Sequence, residues 1–140
     1  NAGWRADSIL DRAARSPFSD RIHHLGYVPD AAMPALYSAA TLTAFVSLYE
    51  GFGLPALESM ACGTAVVAAD RSALPEICGD AAELVDPLDP ESIAAGISLL
   101  LEHPDRRARL VAQGHSRVKC FSWQSCASET LAFLRAIRDN

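Results

Sequence analysis

The sequence predicts an α/β fold, a Rossmann-like parallel sheet with flanking helices and a helical C-terminal third. Two uninterrupted apolar runs of strand length, Leu42–Leu48 and Thr64–Ala69, are typical of parallel strands covered on both faces. A third short strand pattern lies at Ala82–Asp86, and helix-like segments separate the three. Strands that alternate with helices indicate βαβ units with right-handed crossovers, which build a doubly wound sheet.

The segment before the first apolar run is expected to contribute three elements. Residues 4–15 favour a helix, and the stretch RIHHLGYV, Arg21–Val28, has strand-like residues and ends at Pro29. Asp30 is a candidate N-cap for a short helix over Ala31–Ala40. In a strand, the adjacent His23 and His24 would point to opposite faces, so they are not expected to chelate a metal together.

Proline and glycine predict the ends of the two helices between the strands. A helix opened by Pro55 should run to Cys62 and stop at Gly63. A shorter helix over Leu74–Cys78 should stop at Gly79. Proline suits the first helical turn and glycine suits the position just after the last turn.

The chain after Pro90 is predicted to be helical. Apolar residues recur there at helical spacing: Ile93, Ile97, Leu100 and Leu101, then Leu110, Val111 and Val118, and finally Trp123, Ala127, Leu131, Leu134 and Ile137. Ser122 is the expected cap of the last helix, and Trp123 is expected to anchor that helix in the core.

Composition limits the classes of function. The 140 residues are 50% hydrophobic and 21% charged with a net charge of −5, which suits one globular domain over residues 1–140 and no nucleic-acid partner. No transmembrane run or signal segment is present in this sequence, and a cytoplasmic location is expected. The chain begins at Asn1 without a methionine, so we expect a fragment.

Several residue clusters are expected to be structural. The cysteines lack zinc spacing and are expected to be buried, reduced thiols. The four histidines are expected to be structural or exposed, and Arg106, Arg107 and Arg109 to form a solvated helix face.

The stretch YEGFGLPALESMACG carries the candidate site. Glu50 and Glu58 bracket a turn in which Gly51 and Gly53 allow close backbone approach, and the turn follows an apolar strand. In parallel sheets ligands bind beyond the carboxyl ends of the strands, and helix-start amides there attract phosphate. A carboxylate can accept hydrogen bonds from the paired hydroxyls of a ribose or hexose.

Judged from the spacing alone, a purely structural role for this stretch is about as well supported as a functional one. Glycine-rich turns are common, and a glutamate in a first helical turn is favoured by the helix dipole. Glu50 favours function, because no helix benefits from a carboxylate at that position. Asp70, Arg71 and Glu76 also follow a strand; Glu76 could brace its loop, and a contact to the nucleotide is the less favoured alternative.

With the flanks SLYEGFGLP, ESMACGT and LPEICGDAA in the same order, residues 21–134 resemble the C-terminal half of the group 1, or family 4, retaining glycosyltransferases of GT-B fold. The resemblance implies that this chain is the donor-binding half of a two-domain enzyme whose N-terminal acceptor domain is absent. Such enzymes move a hexosyl group from a nucleotide diphosphate sugar to a hydroxyl of a sugar or lipid-linked acceptor. It also implies no cofactor, no metal, and a whole protein peripheral to the inner membrane face.

By the same resemblance each residue of the turn receives a role. Glu50 would lie at the hexose near the anomeric carbon, and Glu58 would hold the ribose hydroxyls of the donor. Beside the flexible Gly51, the backbone amides of Phe52, Gly53 and Leu54 would contact the sugar and the diphosphate.

Two departures from the family pattern bear on activity. The basic Arg and Lys pair that usually neutralises the diphosphate has no counterpart here, and the acceptor domain is missing. Two alternatives stay open: a nucleotide-binding module that has lost catalysis, and a sugar-nucleotide epimerase.

Overall fold

The computed structural model describes residues 6–138. The chain divides between Met33 and Pro34 into two compact units. That residues 1–140 form a single nucleotide-sugar-binding domain stays a prediction.

The first unit contains helix α1, Ala6–Ala14, and two 3-10 turns, Ser19–Arg21 and Asp30–Ala32. The described part of the helix predicted over residues 4–15 is confirmed; residues 4 and 5 lie outside the described residues.

The strand predicted over Arg21–Val28 is wrong. Residues 22–28 form neither strand nor helix, and Gly26 has a φ of +66°, which interrupts an extended backbone. The apolar side chains of this segment are largely exposed, 62% for Leu25 and 86% for Tyr27. A strand needs a partner ladder, and no strand of the described chain pairs with this segment. His23 and His24 are both exposed.

The predicted cap at Asp30 is also wrong. Asp30 is the first residue of a 3-10 turn whose N-cap is Pro29, and no side chain bonds to that cap. The helix that follows, α2, spans Met33–Ala39.

The second unit contains the sheet. Strands β1 (Leu42–Phe45), β2 (Ala65–Ala69) and β3 (Ala82–Val85) are parallel and lie in the order β1-β2-β3. Leu42 pairs with Ala65 and Val66 pairs with Ala82. The predicted parallel sheet is confirmed.

The first apolar run does not form a central strand. β1 ends at Phe45, lies at one edge of the described sheet, and exposes Ala44. β2 is central, and all five of its residues are buried. A continuous apolar run has no two-residue periodicity, so its sequence does not distinguish an edge strand from a central one.

Five helices come after β1 along the chain: α3 (Leu54–Ala61), α4 (Leu74–Cys78), α5 (Pro90–Glu102), α6 (Pro104–Val118) and α7 (Trp123–Arg138). Each of the first four has proline in its first turn, as the sequence predicted for α3 and α5. The helical C-terminal third is confirmed.

Two apolar clusters cover the two faces of the sheet. Val66 and Ala68 pack with Met60 and Leu74 on the face covered by α3 and α4. The other face has a cluster of Ala65, Val67, Val85, Leu100 and Leu110, the last two from α5 and α6. From Ala65 to Ala68, successive β2 residues belong alternately to the two clusters, as expected for a pleated strand.

Helix α7 contradicts one expectation and confirms another. Trp123 is 81% exposed and does not anchor the core, and no residue of α7 is buried. Ser122 does cap the helix, because its Oγ accepts the Ser125 N–H at 3.0 Å. A stripe of apolar residues shows that one face of a helix can pack against another surface. Among the described residues, no surface buries this face of α7.

Among the described helices, none is long and apolar enough to cross a membrane.

Candidate functional site

The loops after the three strands meet at the carboxyl edge of the sheet. Because parallel strands end at the same edge, residues 46–53, 70–73 and 86–89 are neighbours there. Hydrogen bonds join the first loop to the second and the second to the third. The three loops are therefore connected to one another by hydrogen bonds.

Glu50 is fixed through its backbone. Its N–H donates to the Ser72 Oγ at 3.2 Å, and the Ser72 hydroxyl is within 2.7 Å of the Glu50 carbonyl oxygen, to which it can donate. The Glu50 residue is half-buried. Sequence reasoning placed Glu50 at the strand edge but missed Ser72, which no motif marks.

The Gly51–Leu54 turn presents backbone amides. Gly53 has a φ of +102° and is the N-cap of α3 without a side-chain cap bond. Within the described chain, no acceptor takes the amides of Phe52, Gly53 or Leu54. Unpaired amides at a helix start can donate to an anionic or polar oxygen.

Gly53 is favoured both by its backbone conformation and by the close approach of a buried leucine side chain. A Cβ at this position would lie 2.6 Å from the Leu74 Cδ2, a fully buried side chain of α4. A Cβ at Gly51 would meet nothing within 4 Å. The two glycines therefore differ: Gly53 permits close packing, and Gly51 leaves open space at the turn.

Phe52 has a packing role that the sequence did not reveal. Its ring meets Phe121 edge to face, with centroids 5.8 Å apart. The Arg117 guanidinium lies 4.9 Å from the Phe121 ring centre and donates through Nε to the Ile77 carbonyl at 2.9 Å. These contacts connect the turn to α4 and α6, and residue Phe52 is 42% exposed.

Glu58 lies about one turn into α3 and is exposed. One of its carboxylate oxygens accepts the Tyr37 hydroxyl at 3.3 Å. Tyr37 is almost fully buried, and burial, then the nearby Glu58 carboxylate, raise the pKa of its phenol. The phenol therefore stays protonated at neutral pH and remains a donor to Glu58.

Arg71 joins the second and third loops. Its guanidinium donates to the Asp86 carboxylate at 2.8 Å and lies 3.5 Å from that of Asp70. Glu76 contributes only a backbone contact among the described residues, because its carbonyl accepts from Arg117 at 2.5 Å. Among the described residues the Glu76 side chain makes no hydrogen bond or ion pair, so the expected bracing of its loop is not confirmed.

The cysteine and arginine expectations are corrected in part. Among the cysteines only Cys78 is buried, whereas Cys120 and Cys126 are exposed, and all four are free thiols.

Arg106 binds the Glu83 carboxylate through Nε at 3.0 Å, so it is more than part of a solvated helix face. Arg107 donates to the Leu101 carbonyl at 3.1 Å, while Arg109 is exposed.

The profile of the family described as "Glycosyl transferases group 1" matches residues 3–117. The chain belongs to this family. The predicted family membership is confirmed, and the predicted α/β layer with its helical C-terminal third agrees with it.

Relatives of this group 1 glycosyltransferase chain are longer than the chain itself. The O-antigen chain mannosyltransferase B of Escherichia coli is 41% identical over 129 residues, which is 92% of this chain and 34% of that protein. The chain therefore spans about a third of the length of this curated relative.

Solved structures support the same fold. Sucrose-phosphate synthase from Thermosynechococcus elongatus superposes with a TM-score of 0.85 at 29% identity, over 96% of this chain and 34% of that one. The C-terminal domain of a glycosyl transferase group 1 family protein from Francisella tularensis gives 0.71 at 29% identity, over 81% of this chain and 60% of that one. This group 1 chain thus resembles a C-terminal glycosyltransferase domain, as its sequence predicted.

Proposed function

We propose that this chain is the donor-binding domain of a retaining glycosyltransferase that moves a hexosyl group from a nucleotide diphosphate sugar to an acceptor hydroxyl. The observation that carries the proposal is the turn between Glu50 and Glu58. It offers three unpaired backbone amides between two carboxylates, at the strand edge where ligands of such sheets bind.

The roles follow from the chemistry of each group. Amides of Phe52, Gly53 and Leu54 donate to the sugar and diphosphate oxygens, and the open side of Gly51 admits the ligand. Glu58 accepts hydrogen bonds from the ribose diol of the donor. The bonds to the diphosphate oxygens and to the Glu58 carboxylate each include a charged partner, which strengthens them.

Glu50 acts at the hexose. As the bond to the leaving diphosphate weakens, positive charge develops at the anomeric carbon, and a fixed carboxylate stabilises that charge. The leaving phosphate helps to remove the proton from the acceptor hydroxyl on the same face, so configuration is retained. Glu50 needs no covalent bond to the sugar in this scheme.

The donor sugar and the acceptor belong to the whole protein. A mannosyl donor is supported by the name of the Escherichia coli relative, and a sugar or lipid-linked acceptor would bind outside this chain. A cytoplasmic whole protein at the inner membrane face would meet both substrates.

The test compares two alanine variants in the intact protein. Glu58→Ala should weaken bare nucleoside diphosphate and nucleotide sugar alike, by roughly 10- to 150-fold for a lost charge-assisted hydrogen bond of about 1.5–3 kcal/mol. Glu50→Ala should leave bare nucleotide affinity nearly unchanged and lower kcat. Glu102→Ala, an exposed glutamate at the end of α5, is the matched control.

Two outcomes would contradict the proposal. Equal loss of bare nucleotide affinity in both variants would remove the separate roles of the glutamates. A lower Tm in Glu50→Ala with unchanged binding and turnover would show a structural role only. Product analysis separates transfer from its alternatives, because an epimerase releases an altered sugar nucleotide and a binding module releases no product.

A further inference from the structure

Ser72 has an unusual backbone conformation beside the candidate site. Its φ is +57°, and it is the one non-glycine residue with positive φ among residues 6–138. The chain uses glycine where it adopts positive φ elsewhere in that range, at Gly26, Gly53, Gly63 and Gly79. A side chain in this region is strained, so a serine there needs a reason that glycine could not supply.

The hydroxyl of Ser72 supplies that reason. It accepts the Glu50 N–H at 3.2 Å and lies 2.7 Å from the Glu50 carbonyl oxygen as a donor. One side chain thereby satisfies both main-chain groups of Glu50, across 22 residues of sequence. Glycine at position 72 would make the same turn without strain. It would leave the N–H and the carbonyl of Glu50 without their hydrogen-bond partner in this loop.

The loop that carries Ser72 is itself anchored. Its neighbour Arg71 donates to Asp86 at 2.8 Å, and the Asp70 N–H donates to the Val85 carbonyl at 2.9 Å. The second contact ties the loop to the last residue of β3, and the first ties it to the residue that follows. Ser72 therefore connects Glu50 to a loop that is itself hydrogen-bonded to the end of the sheet.

We propose that Ser72 is a positioning residue for hexosyl transfer, which holds Glu50 where positive charge develops at the anomeric carbon. This inference rests on the proposed function of Glu50. A carboxylate whose main chain is held in place before the reaction needs less reorganisation in the transition state, so loss of the anchor should lower turnover more than donor affinity.

Two variants separate the hydroxyl from the backbone strain in the intact protein. Ser72→Gly keeps the left-handed backbone and removes the hydroxyl with both of its hydrogen bonds to Glu50, so we expect kcat to fall roughly 2- to 10-fold, the range of one of the two bonds lost. KM for the nucleotide sugar and Kd for bare nucleoside diphosphate should change little. Ser72→Thr keeps the hydroxyl but adds a branched side chain in a strained conformation, so Tm should fall while kcat is retained.

A double-mutant cycle tests whether Ser72 acts through Glu50. If it does, Glu50→Ala combined with Ser72→Gly should be no slower than Glu50→Ala alone. Multiplicative losses would overturn the inference, and so would wild-type kcat in Ser72→Gly.

The cycle also distinguishes this inference from the proposed function. Full turnover in Glu50→Ala would overturn the role of Glu50 and, with it, that of Ser72. A loss in Glu50→Ala without a loss in Ser72→Gly would overturn only the positioning role.

Discussion

The Tyr37 hydroxyl donates a hydrogen bond to a Glu58 carboxylate oxygen over 3.3 Å, and the backbone carbonyl of the same tyrosine accepts the Thr64 hydroxyl at 2.6 Å. Tyr37 is nearly buried, whereas Glu58 is exposed. The buried phenol thus holds an exposed carboxylate in place, from a helix that sequence motifs did not mark as functional.

Replacing Tyr37 by phenylalanine should weaken nucleotide binding by the intact protein. The substitution keeps the ring in the core and removes the donor, so Glu58 loses its orientation. We expect Kd for bare nucleoside diphosphate to rise roughly 2- to 10-fold, measured by calorimetry. Tyr27→Phe is the matched control, because Tyr27 is 86% exposed in the other compact unit. Unchanged affinity in Tyr37→Phe would show that Glu58 does not depend on this bond.

Gly53→Ala should destabilise the chain, whereas Gly51→Ala should not. The new Cβ at position 53 would lie 2.6 Å from the Leu74 Cδ2 at a φ of +102°, so both packing and backbone are strained. We expect a loss of about 1–3 kcal/mol in the free energy of unfolding, from urea denaturation. Equal effects at the two glycines would contradict the packing role of Gly53.

Arg106→Met should destabilise the chain more than Arg109→Met. The Arg106 guanidinium donates through Nε at 3.0 Å and through a terminal nitrogen at 2.6 Å to one Glu83 oxygen, and the Glu83 side chain is only 16% exposed. Removing the cation leaves a mostly covered carboxylate without its partner. Because Arg106 itself is partly solvated, we expect only about 1–2 kcal/mol, measured by denaturation. A larger effect of Arg109→Met would reverse this assignment.

Stability should fall in alkali because of Cys78. Burial raises the pKa of its thiol from 9.0 to about 11, while the Arg117 guanidinium acts in the opposite direction. Because the folded pKa is higher, the stabilising contribution is complete below the unfolded value of 9.0 and is lost as pH rises towards 11.

The matched variants for this effect are Cys78→Ala and Cys120→Ala. Between about pH 8 and about pH 10.5, the free energy of unfolding should fall by roughly 1–2 kcal/mol less in Cys78→Ala than in the wild type. Cys120 is exposed, so Cys120→Ala should keep the wild-type dependence. Identical profiles for all three proteins would show that Cys78 does not contribute.

Residues 1–140 alone should transfer no sugar. The chain spans about a third of its Escherichia coli relative, and by the family resemblance it forms one wall of a cleft between two domains. The purified chain should therefore bind donor only weakly and give no glycoside in a product assay. Measurable transfer by this chain would refute the two-domain requirement.

From the sequence we could predict the three observed strands in their order along the chain and the helices between and after them. Proline in the first turn and glycine after the last are local signals, and they placed both ends of α3 and α4 and the start of α5 within about a residue. Helical spacing of apolar residues likewise marked α6 and α7. The acidic turn also gave Glu50 and Glu58 as candidates, because the residue types and their place after a strand are visible in one dimension.

Tertiary structure alone decided which partners hold those candidates. Ser72 meets Glu50 and Tyr37 meets Glu58 across 22 and 21 residues of sequence, and such contacts depend on how loops and helices pack rather than on local pattern. It also decided that β1 is an edge strand and that Trp123 is exposed. An apolar run or stripe shows that a segment can be buried, but burial requires a surface that covers it, and only the packed chain supplies or withholds that surface.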